Sequence, residues 1–561
     1  MTENILVCTA WPYANGSLHL GHIAGCYLPA DIFARYHRLI QNNVIMVSGS
    51  DAHGTPVTIT AEAQGITPNE VSENYQKEFL NDWLNLGISY DLFTTTHTKN
   101  HTKIVQEIFL KLYDKDLIYK DIMSQPFCNS SSCNQFLADR YVEGTCPLCK
   151  FNQARGDQCD NCGNTLDPKD LIDIRCNRRK DCDESPEFRK TEHFFLKLSN
   201  FETELLEWVK TKNHWKSNVK NFTLGFLEGG LIDRAITRDI TWGIPIPIEG
   251  YEDKRIYVWF EAVIGYLSAS IEWASQQEDT DIWKEFWGGS SKSYYFMGKD
   301  NIPFHTVIWP AILLGYENLN LPFDVPANEY VNMESKKIST SRNWVVNLKD
   351  YLERYDPDPL RFALTSIMPE SSDSNFSWEE YLRRNNDELV ATFGNLVNRV
   401  FSMSHRYFDG IVQKPTRFSD EDIQLIEFTK ASMDNLSKEL SNCKFRRGLE
   451  ICMNLSQSLN KYLEHQAPWK TFKENPEDCA STLYYSTNVI NCLKIMFNPF
   501  MPFSTEKLNA LLGFDETIIN QGWVWDPNEI SEGNQLKTPE PLFVKLDDSI
   551  VDEEVARLGI N

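Results

Sequence analysis

The chain opens with a pattern that repeats. Ile5-Leu6-Val7-Cys8 is a short continuous apolar run, which reads as a buried strand. A turn-rich stretch, Pro12-Tyr13-Ala14-Asn15-Gly16-Ser17, follows it, and then a helical pattern from Leu18 to about Leu39. A second apolar run, Val44-Ile45-Met46-Val47, ends in the polar cluster Ser48-Gly49-Ser50-Asp51-Ala52-His53-Gly54. Strand, helix, strand is the start of a parallel α/β sheet, in which ligands sit at the carboxyl ends of strands. The pattern breaks near Phe127, and Cys, Gly, Asn and Asp dominate to about Asp183, as in an inserted module. Sheet-like runs return at Ile256-Tyr257-Val258-Trp259 and Tyr294-Tyr295-Phe296-Met297. From Arg383 to Phe497 the periodicity becomes that of long amphipathic helices, with Leu389, Phe393, Leu396, Val397 and Val400 on one face.

The chain's 561 residues exceed one hydrophobic core, so several domains are expected. A hydrophobic content of 42% and a charged content of 24% are those of a globular protein. No apolar run approaches the ~20 residues of a membrane helix, and the N-terminus lacks a basic leader region. A reducing, cytoplasmic setting is the expectation. The net charge of −24 mildly opposes a nucleic-acid partner, although local patches matter more than the total.

That setting changes how the cysteines read. Ten of the 14 precede residue 183, and in such a chain clustering suggests metal before disulfides. Cys146 with Cys149 and Cys159 with Cys162 are strict C-x-x-C pairs, the spacing of a structural zinc site. Gly144, Pro147 and Gly163 are expected at the knuckle turns. Cys128 with Cys133 and Cys176 with Cys182 form looser outer pairs.

Two polar strings carry candidate chemistry. His19-Leu20-Gly21-His22 opens the first helix, where two imidazoles share a face and the helix N-terminus favours phosphate. Lys337-Ile338-Ser339-Thr340-Ser341, flanked by Lys336 and Arg342, offers cations and hydroxyls suited to a departing pyrophosphate. Standing alone, either string would be an ordinary solvated surface feature. Together they resemble the HIGH and KMSKS signatures of class I aminoacyl-tRNA synthetases, with Thr340 in place of the second KMSKS lysine.

The amino acid is suggested by further strings: Ala10-Trp11-Pro12-Tyr13-Ala14-Asn15-Gly16, Ser50-Asp51-Ala52-His53-Gly54, Tyr257-Val258-Trp259, Ile264-Gly265-Tyr266 and Gly298-Lys299-Asp300-Asn301-Ile302-Pro303-Phe304-His305. These resemble methionyl-tRNA synthetases from about residue 4 to 500. The resemblance implies a methionine pocket of Ala10, Tyr13, Trp259, Ala262, Tyr266, His305 and Trp309, with Asp51 holding the ammonium. A thioether packs well against aromatic edges, which agrees. Val263 stands where relatives often carry proline, so the pocket wall is expected to differ there. The resemblance also implies that His19, Gly21, His22, Lys337, Ser339 and Thr340 bind Mg-ATP, with His19, His22 and Lys337 catalytic. It implies that Asn395, Arg399 and Trp469 read the anticodon of the methionine tRNA, and that the outer cysteines hold a second zinc.

Other class I synthetases, for valine, isoleucine or leucine, carry a large editing domain, whereas this insert is short and cysteine-rich. A degenerate RNA-binding relative would not keep His19, His22, Asp51 and Lys337 together. The expected architecture is a Rossmann-type parallel-sheet catalytic domain (1–117 and 232–325) interrupted by a zinc-knuckle module (118–231). A linking region with the KMSKS-like loop (326–382), an α-helical anticodon-binding bundle (383–540) and a tail (541–561) that packs back on the body complete it. With no appended domain, a monomer is expected.

Overall fold

The computed structural model describes residues 2–560, apart from 132, 139–140, 157–158, 160, 163, 165, 179–181 and 183. Five parallel strands form the central sheet: β1 (Asn4–Thr9), β2 (Asn43–Ser50), β3 (Leu92–Thr95), β4 (Lys292–Gly298) and β5 (Ala327–Asn328), in the order β5-β4-β1-β2-β3. Strand order reverses at β1, which pairs with β4 (Thr9 opposite Phe296) and with β2 (Cys8 opposite Val47). A crevice is expected at the carboxyl end of that strand.

Side-chain alternation divides the strands between two cores. Ile5, Val7, Val44, Met46, Tyr294 and Phe296 join one cluster, shared with the helix Leu28–Leu39 and the C-terminal helices. Leu6, Cys8, Ile45, Val47, Tyr295 and Met297 join the other, beneath the helices Lys99–Asp114 and Val258–Ala274. Both sheet faces are thus covered, which explains why the strands read as continuous apolar runs rather than alternating ones.

Two expectations need correction. The apolar run at Ile256-Tyr257-Val258-Trp259 is not a strand: only Arg255–Ile256 is extended, and Val258 begins a 17-residue helix. That helix is apolar on nearly every side because it is buried on nearly every side, and a helix of this kind hides its period. The first helix begins at Leu20 rather than Leu18, and its second turn, Ile23–Tyr27, is π-helical.

The insert is carried on an arm formed by the two long strands of a four-stranded antiparallel sheet, Ile118–Cys128 with Glu187–Leu196, paired from Ile118↔Leu196 to Phe127↔Glu187. At its tip lies a small separate cluster in which five of the ten buried residues are cysteines. So little apolar surface cannot stabilise a module unaided.

The catalytic sheet and the helical bundle meet at Arg361, which is fully buried on the helix Pro357–Ser366. Its Nη2 lies 2.6 Å from the Asp31 carboxylate, and its guanidinium donates to the carbonyls of Phe500 (2.8 Å), Pro499 (2.9 Å) and Leu86 (3.3 Å). Burial alone would raise the Asp31 pKa, but Arg35 and Arg361 hold it down to about 2. Removing Arg361 leaves Asp31 with Arg35 as its cation (2.9 Å) and strips the donor from several buried carbonyls, at a cost of ~3 kcal/mol. We therefore expect Arg361→Ala to lower stability by that amount in denaturant unfolding. A loss below ~1 kcal/mol would show that the junction does not depend on this pair.

Candidate functional site

His19 and His22 are held as a stacked pair, their ring centroids 3.6 Å apart. The stacking follows from reciprocal capping. The His22 backbone N–H donates to His19 Nδ1 (3.4 Å), and the His19 backbone N–H donates to His22 Nδ1 (3.3 Å). Each Nδ1 therefore accepts, so each neutral ring carries its proton on Nε2. Burial, then the neighbouring ring, pulls the His19 pKa well down. His22 keeps an open edge, yet the protein around it lowers its pKa to about 4. Two neutral Nε2–H donors beside the first turn of a helix suit an anion.

The second string lies directly against the first. A Cβ on Gly21 would come within 3.0 Å of Ile338 Cδ1, so glycine is what permits this approach. Leu20 N donates to Val346 O (3.2 Å) and Leu348 N to Leu18 O (2.7 Å), stitching the two segments together. Lys336 and Lys337 are exposed in a two-residue strand paired with Val331–Met333. Lys336 stacks on Trp344 (4.0 Å), while Lys337 Nζ lies 5.9 Å from the Tyr330 ring. Ser339 pairs with Trp344 through two backbone hydrogen bonds, and Thr340 is exposed. The C-terminal segment reaches this loop: Gly559 N donates to Asn343 O (2.8 Å), and Glu554 accepts two bonds from Arg354 (both 2.9 Å).

Asp51 lies just past β2 and is 3% exposed. Its backbone bridges Pro12 (2.7 Å) and Ala14 (2.9 Å), which joins the carboxyl ends of β1 and β2. Burial and then the nearby Glu261 raise its pKa to about 8. Among the described residues Asp51 has no lysine or arginine salt bridge, and the nearby His53 offsets only part of the upward shift. Tyr13 and Trp259 are linked by the indole N–H donating to the phenol (3.0 Å), and Trp259 packs edge-on against Phe304. His305 Nδ1–H donates to Asn301 O (2.8 Å), which leaves Nε2 to accept from Tyr266 OH at 2.6 Å. Burial lowers the His305 pKa to about 4. Trp309 is fully buried and donates to Tyr295 OH (3.2 Å), and Tyr295 packs edge-on against Tyr266. Ala10 caps β1, donating to Phe296 O (2.9 Å). Ala262 lies on the partly open face of the helix with Trp259, whereas Val263 is 4% exposed and points into the core.

In the insert, the Sγ atoms of Cys146, Cys149, Cys159 and Cys162 lie within 4.8 Å of one another, with Cys149–Cys159 at 3.5 Å and Cys146–Cys162 at 3.9 Å. Tetrahedral ligands at ~2.3 Å from a zinc are ~3.8 Å apart, so this set fits the metal. The Asn161 amide donates to Cys149 and lowers its pKa to about 6, readying a thiolate. Cys128, Cys176 and Cys182 form a second such group, and Cys133 lies 4.0 Å from Cys176. Pro147 is in a turn as expected. Gly144 is not: it lies in the strand Val142–Thr145, where a Cβ would meet Ile172 O at 2.8 Å. Gly163 lies outside the described residues.

In the helical region, Ala467 (φ 42°) and Pro468 break the chain between two helices and present Trp469 half-buried at the corner. The Arg399 guanidinium lies 5.2 Å from its ring and pairs with Glu464 (2.7 Å), and Asn395 is exposed one turn earlier.

The sequence reading passed over His53, His97, His101, Arg238 and Glu261. His53 Nδ1 lies 3.0 Å from the Glu261 carboxylate, and Arg238 stacks on Tyr257 (3.9 Å) beside the slot lined by Tyr13 and Trp259. A carboxylate inside the apolar stretch Val258-Trp259-Phe260-Glu261-Ala262-Val263 is the available clue, masked by reading Ile256-Tyr257-Val258-Trp259 as sheet-like. A larger cleft of about 590 Å³ opens between the arm and the catalytic domain, lined by His53, Glu62, Arg178, Asp239 and Trp242 among others.

Residues 5–401 match the family described as tRNA synthetases class I (M), and residues 412–560 match the anticodon binding domain of methionyl tRNA ligase. The chain is 54% identical over 560 residues to a methionine–tRNA ligase of Dehalococcoides mccartyi, covering 100% of both chains. It is 46% identical to a methionine–tRNA ligase of Thermomicrobium roseum, covering 100% of this chain and 99% of the relative. Its fold matches that of Mycobacterium tuberculosis methionyl-tRNA synthetase in complex with methionyl-adenylate, with a TM-score of 0.81, 24% identity, and 97% of this chain and 100% of the other covered.

The buried Asp51 is expected to reduce stability. Its folded pKa of about 8 exceeds the model-peptide value of 3.8, so the folded state binds the extra proton and stability falls as pH rises between the two. Asp51→Asn should raise the melting temperature at pH 7 by about 2–4 °C, with the gain vanishing near pH 4. An unchanged or lower melting temperature at pH 7 would refute the assignment of Asp51 as a buried carboxyl with a raised pKa.

Proposed function

Because the chain belongs to the methionyl branch of the class I tRNA synthetase family, we propose that it activates methionine with ATP and transfers it to the 3′ end of the methionine tRNA, both initiator and elongator. The observation that carries this reading is the meeting, at one edge of the sheet, of a buried carboxyl, an aromatic slot and two neutral imidazoles facing a lysine loop.

In the first step the methionine carboxylate attacks the α-phosphorus of Mg-ATP. A new C–O–P linkage forms, the bond to the bridging oxygen breaks, and pyrophosphate departs. Asp51 takes the ammonium, and Tyr13, Trp259, Ala262, Tyr266, His305 and Trp309 surround the thioether, with Ala10 at the floor. His19 and His22 donate Nε2–H bonds to phosphate oxygens, Gly21 gives backbone access, and Lys337, Ser339 and Thr340 follow the leaving pyrophosphate. In the second step the terminal ribose hydroxyl of the tRNA attacks the activated carbonyl and AMP leaves. Catalysis is positioning and charge stabilisation, worth ~3 kcal/mol for a good donor to the transition state.

Asn395, Arg399 and Trp469 are assigned to the anticodon. A corner indole with an arginine over its face is a stacking platform for an unpaired base. The inner cysteines would hold one zinc and the outer four a second, both structural, because four thiolates leave no position for water.

Methionine-dependent ATP–pyrophosphate exchange tests the reading. We expect exchange with methionine over leucine and norleucine. Lys337→Ala should fall roughly a hundredfold in kcat, and Thr340→Ala far less. Trp469→Ala should lose about tenfold in tRNA charging with activation intact. Exchange driven by another amino acid, or wild-type rates in Lys337→Ala, would overturn these assignments. Elemental analysis should find two zincs per chain, and one in Cys128→Ser with activation retained. A wild-type value of one removes the outer site.

A further inference from the structure

The ammonium anchor and the side-chain slot belong to different elements. Asp51 follows β2, whereas Trp259, Ala262 and Tyr266 lie on the helix Val258–Ala274. An apolar slot separates substrates that differ by one methylene only about tenfold to two-hundredfold. Even that requires a fixed distance between the two anchors, because a helix free to shift would accommodate a shorter or longer side chain.

One contact spans the gap at the pocket end of that helix. His53, two residues past Asp51, points Nδ1 at both oxygens of Glu261, at 3.0 and 3.1 Å. Glu261 lies between Trp259 and Ala262 on the same turn. Both partners are buried, His53 at 4% and Glu261 at 0% exposure. The strand side is fixed in turn. The His53 backbone N–H donates to Asp51 Oδ1 (3.3 Å), His53 Nε2 lies 3.0 Å from His97 Nδ1, and the His97 ring stacks on Trp242. Trp242 Nε1 donates to Ala52 O (2.6 Å), gripping the residue between Asp51 and His53. The helix side is fixed by His101, whose Nε2 lies 3.8 Å from Glu261 and whose Nδ1 lies 2.8 Å from Ser268 Oγ, just past Tyr266. Among the described residues the ion-pair partners of Glu261 are these two histidines, with no lysine or arginine.

We propose that His53 and Glu261 are the ruler of the amino-acid site, a pair of positioning residues that sets the separation between the Asp51 carboxylate and the thioether slot and thereby the length discrimination of the enzyme. The inference rests on the methionine-site reading above. The charge state supports it: burial would discharge His53, but the carboxylate of Glu261 and its hydrogen bond raise the imidazole pKa, so the contact is a buried charge-assisted pair. Such a contact is shorter and stiffer than a neutral one, as a ruler requires.

The test is pyrophosphate exchange by the full chain with methionine, with norvaline (shorter, ending one carbon earlier) and with ethionine (one methylene longer). Glu261→Ala should lower the kcat/KM preference for methionine over both analogues by about tenfold and raise KM for methionine, while leaving KM for ATP and the zinc content unchanged. Glu261→Gln keeps an oxygen for the His53 N–H at the same length and should keep the preference within about threefold of wild type. If Glu261→Ala fails to fold, His53→Ala removes the same contact and should give the same readings. Unchanged preference ratios in the Ala variants, whatever happens to kcat, would overturn the ruler, as would a Gln variant as unselective as Ala. Absence of methionine-dependent exchange in the wild type would instead overturn the reading on which the ruler rests.

Discussion

A guanidinium can be taken fully out of water only where a carboxylate and several carbonyls already converge, and that requirement shapes the whole molecule. Arg361 is such a group. Its partners come from the first long helix of the catalytic domain (Asp31), from the end of a second helix (Leu86) and from the turn after the helix Pro476–Phe497 (Pro499, Phe500). None of these segments can move without leaving polar atoms unsatisfied. The parallel-sheet domain and the helical bundle are therefore joined at this point through buried polar contacts that neither can leave.

Within that structure the site works by keeping its charges unspent. Burial lowers the pKa of both signature imidazoles, and the reciprocal Nδ1 caps fix their tautomer, while burial and then Glu261 raise the pKa of Asp51. On the function proposed above, substrate would supply an ammonium for the carboxyl and phosphates for the Nε2–H donors. Charge that develops only with substrate in place is charge that favours the bound and reacting states over the empty one. The stability lost at Asp51 is the cost of that arrangement.

Much of this was legible in the chain itself. β1, β2 and β4 read correctly because both faces are covered and their apolar runs are unbroken. The histidine and lysine strings were legible because each is local, and the inner cysteines because zinc imposes a spacing. What failed did so for physical reasons. The helix Val258–Ala274 is buried almost all round, so its period vanished and Tyr257-Val258-Trp259 looked extended. Gly144 looked like a turn residue, but it is required by the close approach of Ile172 O within a strand. The His53–Glu261 contact joins positions 208 residues apart, and no periodicity or spacing reports a pairing of that kind.

The order of the strands has a consequence for how the chain comes into being. β1 is the centre of the sheet, yet one of its two neighbours, β4, begins at Lys292. At ~5–20 residues per second the ribosome needs tens of seconds to deliver it. Through that interval β1 and β2 expose an edge lined with Ile5, Val7 and Cys8, and the cysteine arm emerges before the sheet can close. A nascent chain of this topology is most vulnerable to chaperone capture or to pairing with a neighbour on the same polysome between the synthesis of β2 and that of β4.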